Sequence, residues 1–257
     1  DGVTGSQTGV TRYFAYDGDG NQTHSWSDKD GVTTASVTIY DDEGRVLTSE
    51  QYTLSSTYTS ASALIAATDA ATPDVSTSTA YDALGRVTVS TDRYGHQSFT
   101  RYDVRGNAVE TRSDTTLAND SAGFIVSRTA YDTNGRAVAS MAPILTDASG
   151  NVLDPTTEAL AGTDTSFYRA SHTIYDAAGR VTETRQVAGV PITISGPDAN
   201  GLYSTTFDTN YNPARTDAGG AVLSASLTRY DSAGRTHETE TTEGLVTRFV
   251  YDNAGRQ

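Results

Sequence analysis

A six-residue frame, Tyr-Asp-x-x-Gly followed by Arg or Asn, recurs eight times in 257 residues. Repetition at that density constrains the fold more than any other property of the chain. The copies are YDGDGN at 16–21, YDDEGR at 40–45, YDALGR at 81–86, YDVRGN at 102–107, YDTNGR at 131–136, YDAAGR at 175–180, YDSAGR at 230–235 and YDNAGR at 251–256. A degraded copy, FDTNYN, occupies 207–212 without the glycine. Asp suits the first position of a type I turn, where its carboxylate accepts from backbone N–H groups, and Gly suits the residue that must take positive φ. That combination is a three-residue hairpin loop with a G1 bulge. Each copy therefore predicts one hairpin tip.

Between the frames the chain tends to alternate, as in Ser98-Phe99-Thr100-Arg101-Tyr102, with the period of a strand that buries one face. A second turn lies midway in several repeats, at Asp28-Lys29-Asp30-Gly31, Asp92-Arg93-Tyr94-Gly95, Asp217-Ala218-Gly219-Gly220 and Thr242-Glu243-Gly244. The fold class expected is all-β: an antiparallel strip of hairpins, one array over 1–257, winding into a solenoid or shell. Eight tips imply roughly 16 to 20 strands, a strip on the order of 75–95 Å long at about 4.8 Å per strand. The smallest tyrosine-to-tyrosine spacing is 21 residues, at 81 to 102 and again at 230 to 251, and is the bare unit. Surplus residues are expected as insertions at about 52–78, 144–166 and 186–205, because exposed turns tolerate added length. A short helix is predicted over Ala61 to Ala71. Another is predicted over Asp154 to Gly162, with Asp as N-cap, Pro155 at the first helical position and Gly beyond the end. An extra hairpin is predicted around Pro197 to Gly201.

Composition agrees with strands: Thr is the commonest residue at 42 and Tyr reaches 15. Hydrophobic content of 36% and a mean hydropathy of -0.45 predict a thin core. There is no Cys, so neither a disulfide framework nor a thiolate metal site can form. The net charge of -14 opposes phosphate backbones and argues against nucleic acid. No apolar stretch approaches the roughly 20 residues of a membrane helix.

With eight frames, the stretch from Thr11 to Arg256 resembles the bacterial rearrangement-hotspot family and its YD repeats, found also in the C component of insecticidal Tc toxins and in animal teneurins. The resemblance implies a spiral β-strip that, in larger members, winds into a hollow shell around a toxin or an empty cavity. It implies a secreted or cell-surface bacterial protein. The family's DPxGL segment, which supplies the aspartyl self-cleavage site, is not matched, since Asp154-Pro155 is followed by Thr156-Thr157. Self-cleavage is therefore not carried over. A chain of 27.1 kDa is too small to enclose a folded enzyme by itself. The sequence stops just after a tip, so the last strand edge is expected to join further repeats of a longer chain or identical subunits.

Two readings compete for each motif residue. Tyr40, Tyr81, Tyr131, Tyr175, Tyr230 and Tyr251 are either a carbohydrate platform or a packed aromatic row joining repeats; the row is preferred, because cross-strand aromatic pairs stabilise sheets. Arg45, Arg86, Arg136, Arg180, Arg235 and Arg256 either bind anionic sugars or pair with a turn Asp; pairing is preferred. Asp41, Asp82, Asp132, Asp176, Asp231 and Asp252, with Gly44, Gly85, Gly135, Gly179, Gly234 and Gly255, are assigned to the turns. Asp17, Asp19, Asn21 and Asp28 stand at oxygen positions of a calcium loop, but its sixth position is Gln22 instead of Gly, and its twelfth is Asp28 where Glu is usual. No metal or cofactor is assigned. His24, His96, His172 and His237 are scattered, and no nucleophile elbow or phosphate loop is present. The expectation is a non-enzymatic scaffold: part of a toxin-delivery shell with a toxin cargo, or alternatively an extracellular fibre whose turns contact glycans or cells.

Overall fold

A computed structural model describes residues 11–155, 157–162, 168–209, 221–252 and 254–257. The protein is all-β and antiparallel, with seventeen strands and one helix among the described residues. Its contacts divide it into two compact units, residues 1–98 and 99–257.

In the first unit β1 (Arg12–Tyr16), β2 (Gln22–Lys29), β3 (Val32–Tyr40), β4 (Val46–Leu54), β5 (Val75–Tyr81) and β6 (Val87–Thr91) lie side by side in sequence order. Helix α1 (Ala61–Ala70) interrupts them between β4 and β5. Ser60 caps it by accepting from the Ala63 N–H at 3.4 Å, and good helix formers follow, so the predicted helix is present. Trp26, Ala35 and Tyr52 stand opposite one another across β2, β3 and β4, and fully buried Leu64 packs with this row. Burying one leucine side chain stabilises by about 1.5–3 kcal/mol. The Trp26 indole N–H donates to the Tyr58 carbonyl at 2.7 Å, which satisfies the only polar atom of that side chain.

The second unit holds β7 (Gln97–Tyr102, whose first two residues precede the boundary), β8 (Ala108–Thr116), β9 (Ala122–Tyr131), β10 (Ala137–Asp147), β11 (Arg169–Tyr175), β12 (Val181–Ala188), β15 (Ala221–Tyr230), β16 (Thr236–Thr241) and β17 (Val246–Arg248), again in sequence order. A separate hairpin, β13 (Ile192–Ser195) with β14 (Ser204–Phe207), forms its own two-stranded sheet. Ile192, with no exposed surface, packs among Val126, Ala130, Ala139, Met141 and Ile144. Ala130 and Ala139 face each other across β9 and β10. Side chains that small leave room for Ile192. Thr205 donates to the Thr129 carbonyl at 3.2 Å and the Tyr203 N–H to the Tyr102 carbonyl at 2.9 Å, so polar contacts fix the hairpin as well. Each unit thus owes its main core to an inserted element.

The predicted hairpin around 197–201 is this one. The helix predicted over 154–162 does not form among the described residues. Leu153 and Leu160 make a β-bridge, the Asp154 N–H donates to the Ala159 carbonyl at 2.9 Å, and Glu158 takes a φ of 54°. A helix that short has too few internal bonds to offset its nucleation, whereas the bridge joins residues already held near the sheet. Of the degraded copy at 207–212, residues 210–212 lie outside the described residues, as does the midway turn expected at 217–220.

Candidate functional site: linked hairpin tips

Within a frame, four residues on from the aspartate, Arg or Asn closes the loop. At Asp41, Asp82, Asp132, Asp176, Asp231 and Asp252 the aspartate N–H donates to the carbonyl of that arginine at 2.9 Å, and the glycine N–H donates back to the aspartate carbonyl. The aspartate's Oδ1 accepts the arginine N–H at 2.8–2.9 Å and its Oδ2 accepts the arginine Nε–H at 2.6–2.8 Å. The glycines lie at φ of 77° to 81°, a region closed to most side chains. Beside each motif tyrosine from Tyr16 to Tyr230 whose pairing is defined, the register slips by one residue, the bulge that such a loop requires.

Neighbouring tips are joined by a second set of contacts. The guanidinium of Arg45 lies 4.7 Å from the centre of the Tyr81 ring; Arg136 covers Tyr175 at 4.3 Å, Arg180 covers Tyr230 at 4.4 Å and Arg235 covers Tyr251 at 4.4 Å. The covered tyrosine donates its hydroxyl to the carbonyl of the residue after that arginine: Val46 at 3.0 Å, Ala137 at 3.0 Å, Val181 at 2.7 Å and Thr236 at 2.8 Å. One arginine therefore closes its own loop and holds the next. Of the six motif tyrosines, Tyr81, Tyr175, Tyr230 and Tyr251 join repeats through a cation and a carbonyl and Tyr40 and Tyr131 through a carbonyl alone, and none of the six stacks ring to ring on another.

The carboxylates of the tips are held ionised. At Asp132, Asp176, Asp231 and Asp252 the arginine backbone N–H, assisted by its side chain, keeps the carboxyl below the ordinary range. Such groups are poor proton donors at neutral pH. His172 is buried against the Phe207 ring, and desolvation, followed by the charge of nearby Arg185, lowers its pKa. Tyr52 is pushed up to about 12 by burial and by its hydrogen bond to Glu50.

Two frames carry Asn in place of Arg. The Asn21 and Asn107 amides still donate to Oδ2 of Asp17 and Asp103, at 2.9 and 2.8 Å, and Tyr40 and Tyr131 still donate to the carbonyls of Gln22 and Ala108. The loop survives, but no guanidinium reaches the next ring. The same residues decide the calcium question geometrically. Asp17 spends both oxygens on its own turn, Asp28 accepts from Thr33 at the far end of β2, and residues 22–29 are strand where a calcium loop would need to curl. No group of three or more metal-ligating side chains converges among the described residues.

Sequence reading missed a buried cluster on the sheet face. Glu110, with no exposed side-chain surface, accepts from Arg101, Arg112 and Arg128, each at 2.7 Å. Burial alone would raise its pKa; the hydrogen bonds from Arg128 and Arg112 and the charges of Arg128 and Arg101 outweigh that and lower it. Arg101 also lies over the Tyr203 ring at 4.7 Å, and Arg128 donates to the Ile192 carbonyl at 3.0 Å. One carboxylate thus connects three strands to the inserted hairpin. Its signal lies in the strand register: Arg128 and Glu110 are register partners, and Arg112 sits two residues along the same face.

No family model matches the chain, and no curated protein matches it. Solved structures that align with it include the crystal structures of TcdB2-TccC3-TEV (14% identity, TM-score 0.27), TcdB2-TccC3-Cdc42 (13%, 0.24) and TcdB2-TccC3 without its hypervariable C-terminal region (12%, 0.25). These alignments cover 94%, 95% and 96% of this chain, which spans 15%, 14% and 16% of theirs.

Proposed function

We propose that this chain is a non-catalytic YD-repeat scaffold, a segment of the wall of a large secreted bacterial toxin-delivery protein. The observation carrying the reading is the Asp-Arg-Tyr link, which spends the chain's recurrent chemistry on joining each tip to the next. Catalysis would need an acid, base or nucleophile held free for substrate. Here the recurrent carboxylates are committed to turn N–H groups and guanidinium ions. The wall's partners are further repeats of the same kind and, in the complete protein, an enclosed cargo.

The alternative is an extracellular fibre or adhesive surface protein whose turns contact glycans or cells, favoured by the exposed Leu84, Tyr94 and Val104 on the turns. Negative-stain electron microscopy of the purified protein, over a range of concentrations at high and low salt, separates the two. Discrete particles at every concentration are expected. Ordered filaments that lengthen with concentration would transfer the assignment to the fibre.

A further inference from the structure

Where Asn107 replaces arginine, the space between two tips is open. A cavity of about 560 Å³ lies there, lined by Asp103 and Arg105 of one tip, Tyr131 and Asp132 of the next, and Asp198 and Tyr203 of the inserted hairpin. Asn107 uses its amide on Asp103, so the Tyr131 ring carries no cation.

A second feature of the cavity comes from a different element. Asp198 heads a tip of the same construction: its Oδ1 accepts the N–H groups of Asn200 and Leu202, both at 2.9 Å. Four residues on, where six frames carry arginine, stands Leu202, and the second carboxylate oxygen of Asp198 takes no guanidinium. The cavity therefore has an uncovered tyrosine ring on one side and an unneutralised carboxylate on another. Elsewhere in this chain a guanidinium satisfies a carboxylate and a tyrosine ring of this kind together.

We infer that this cavity binds an arginine side chain of a partner polypeptide, whose guanidinium lies over Tyr131 and pairs with Asp198. A planar cation suits both contacts, since guanidinium stacks on aromatic faces and presents paired N–H donors to a carboxylate. The chain's net charge of -14 adds a general attraction for such a partner. The site does not depend on what the wall encloses.

The test uses the whole chain with carbon-13-labelled tyrosine and N-acetyl-L-arginine amide as probe, the Tyr131 ring signal being assigned by its loss in Tyr131→Phe. Saturable shifts of that signal are expected with a dissociation constant on the order of 1–10 mM, as one cation–π contact and one ion pair allow. N-acetyl-L-glutamine amide should leave the signal in place. Asn107→Arg, which supplies the guanidinium from within, should abolish the response. Asp198→Asn, which keeps the turn acceptor and removes the charge, should weaken it about two- to fivefold. Absence of a saturable shift at Tyr131 up to about 50 mM probe, where a 10 mM site would be largely filled, overturns the inference. An undiminished response in Asp198→Asn, or in folded Asn107→Arg, does so too.

Discussion

Two stretches of the second unit hold neighbouring strands by different means. At the frames headed by Asp176, Asp231 and Asp252 arginine is present, successive frames are linked ring to guanidinium, and the sheet between them is thinly covered: Leu223 in β15 is 53% exposed and Leu245, just before β17, 65%. From Arg101 to Tyr131 the tip carries Asn107 and leaves its neighbour's ring bare, while the sheet face carries the buried Glu110 cluster and the docked β13–β14 hairpin. The first unit repeats the second pattern: beside Asn21, the recess that reaches Tyr40 is also lined by Thr68 and Asp69 of α1. In both units a frame without arginine lies near an inserted element. A strip of hairpins can be held at its rim or on its face, and an insertion shifts the work from one to the other.

The largest effect should follow from breaking the face. Glu110→Ala leaves three guanidinium ions converging on an emptied site, and chemical denaturation should show a loss of about 3–5 kcal/mol. Its pH signature is specific. Glu110 has a folded pKa below its unfolded value, so its contribution is complete above about pH 4.3 and disappears as the pH falls through the folded value. The stability gap between wild type and Glu110→Gln should therefore be constant near neutrality and close in acid; a gap that persists unchanged down to about pH 2 would remove the charge from the account.

Next in size is the rim. Gly179 has a φ of 81°, and a Cβ there would sit 3.3 Å from the Arg136 guanidinium. Gly179→Val should cost about 1–3 kcal/mol, read in the same denaturation experiment, and an unchanged midpoint would contradict the turn. Tyr230→Phe removes the hydroxyl that bonds the Val181 carbonyl and should cost about 0.5–1.5 kcal/mol. The smallest and sharpest pair exchanges the two kinds of frame: Arg180→Asn should lower Tm by about 1–3 °C and Asn107→Arg should raise it by a similar amount. Shifts of the same sign in both would show that the ring contact is not what separates the two frames.

The tips were legible in the sequence because Asp and Gly act locally: a carboxylate at the head of a turn and a glycine at positive φ need only residues within five positions. Strand order was legible for the same reason, since hairpins pair neighbours. The partner of each arginine was only half legible. Its contact with Asp four residues back is local, but its contact with the next tyrosine spans an insertion of arbitrary length, and the tyrosines were read as a row packed on itself. The alanine-rich stretch from Ala61 to Ala71 announced α1, whereas Asp154-Pro155 imitated a helix start that a bridge between Leu153 and Leu160 overrode. Glu110 required the register of three strands, which no single stretch encodes.

Each arginine of the linked frames reaches forward to a later tyrosine, across 36 residues from 45 to 81, 50 from 180 to 230 and 16 from 235 to 251. The link is vectorial. During synthesis the guanidinium emerges first, already fastened to its own aspartate, and waits preformed for a ring that has not yet been made. Each newly completed hairpin then finds its predecessor's docking group in place, so the strip of hairpins can grow in the direction of translation without revising what stands behind it.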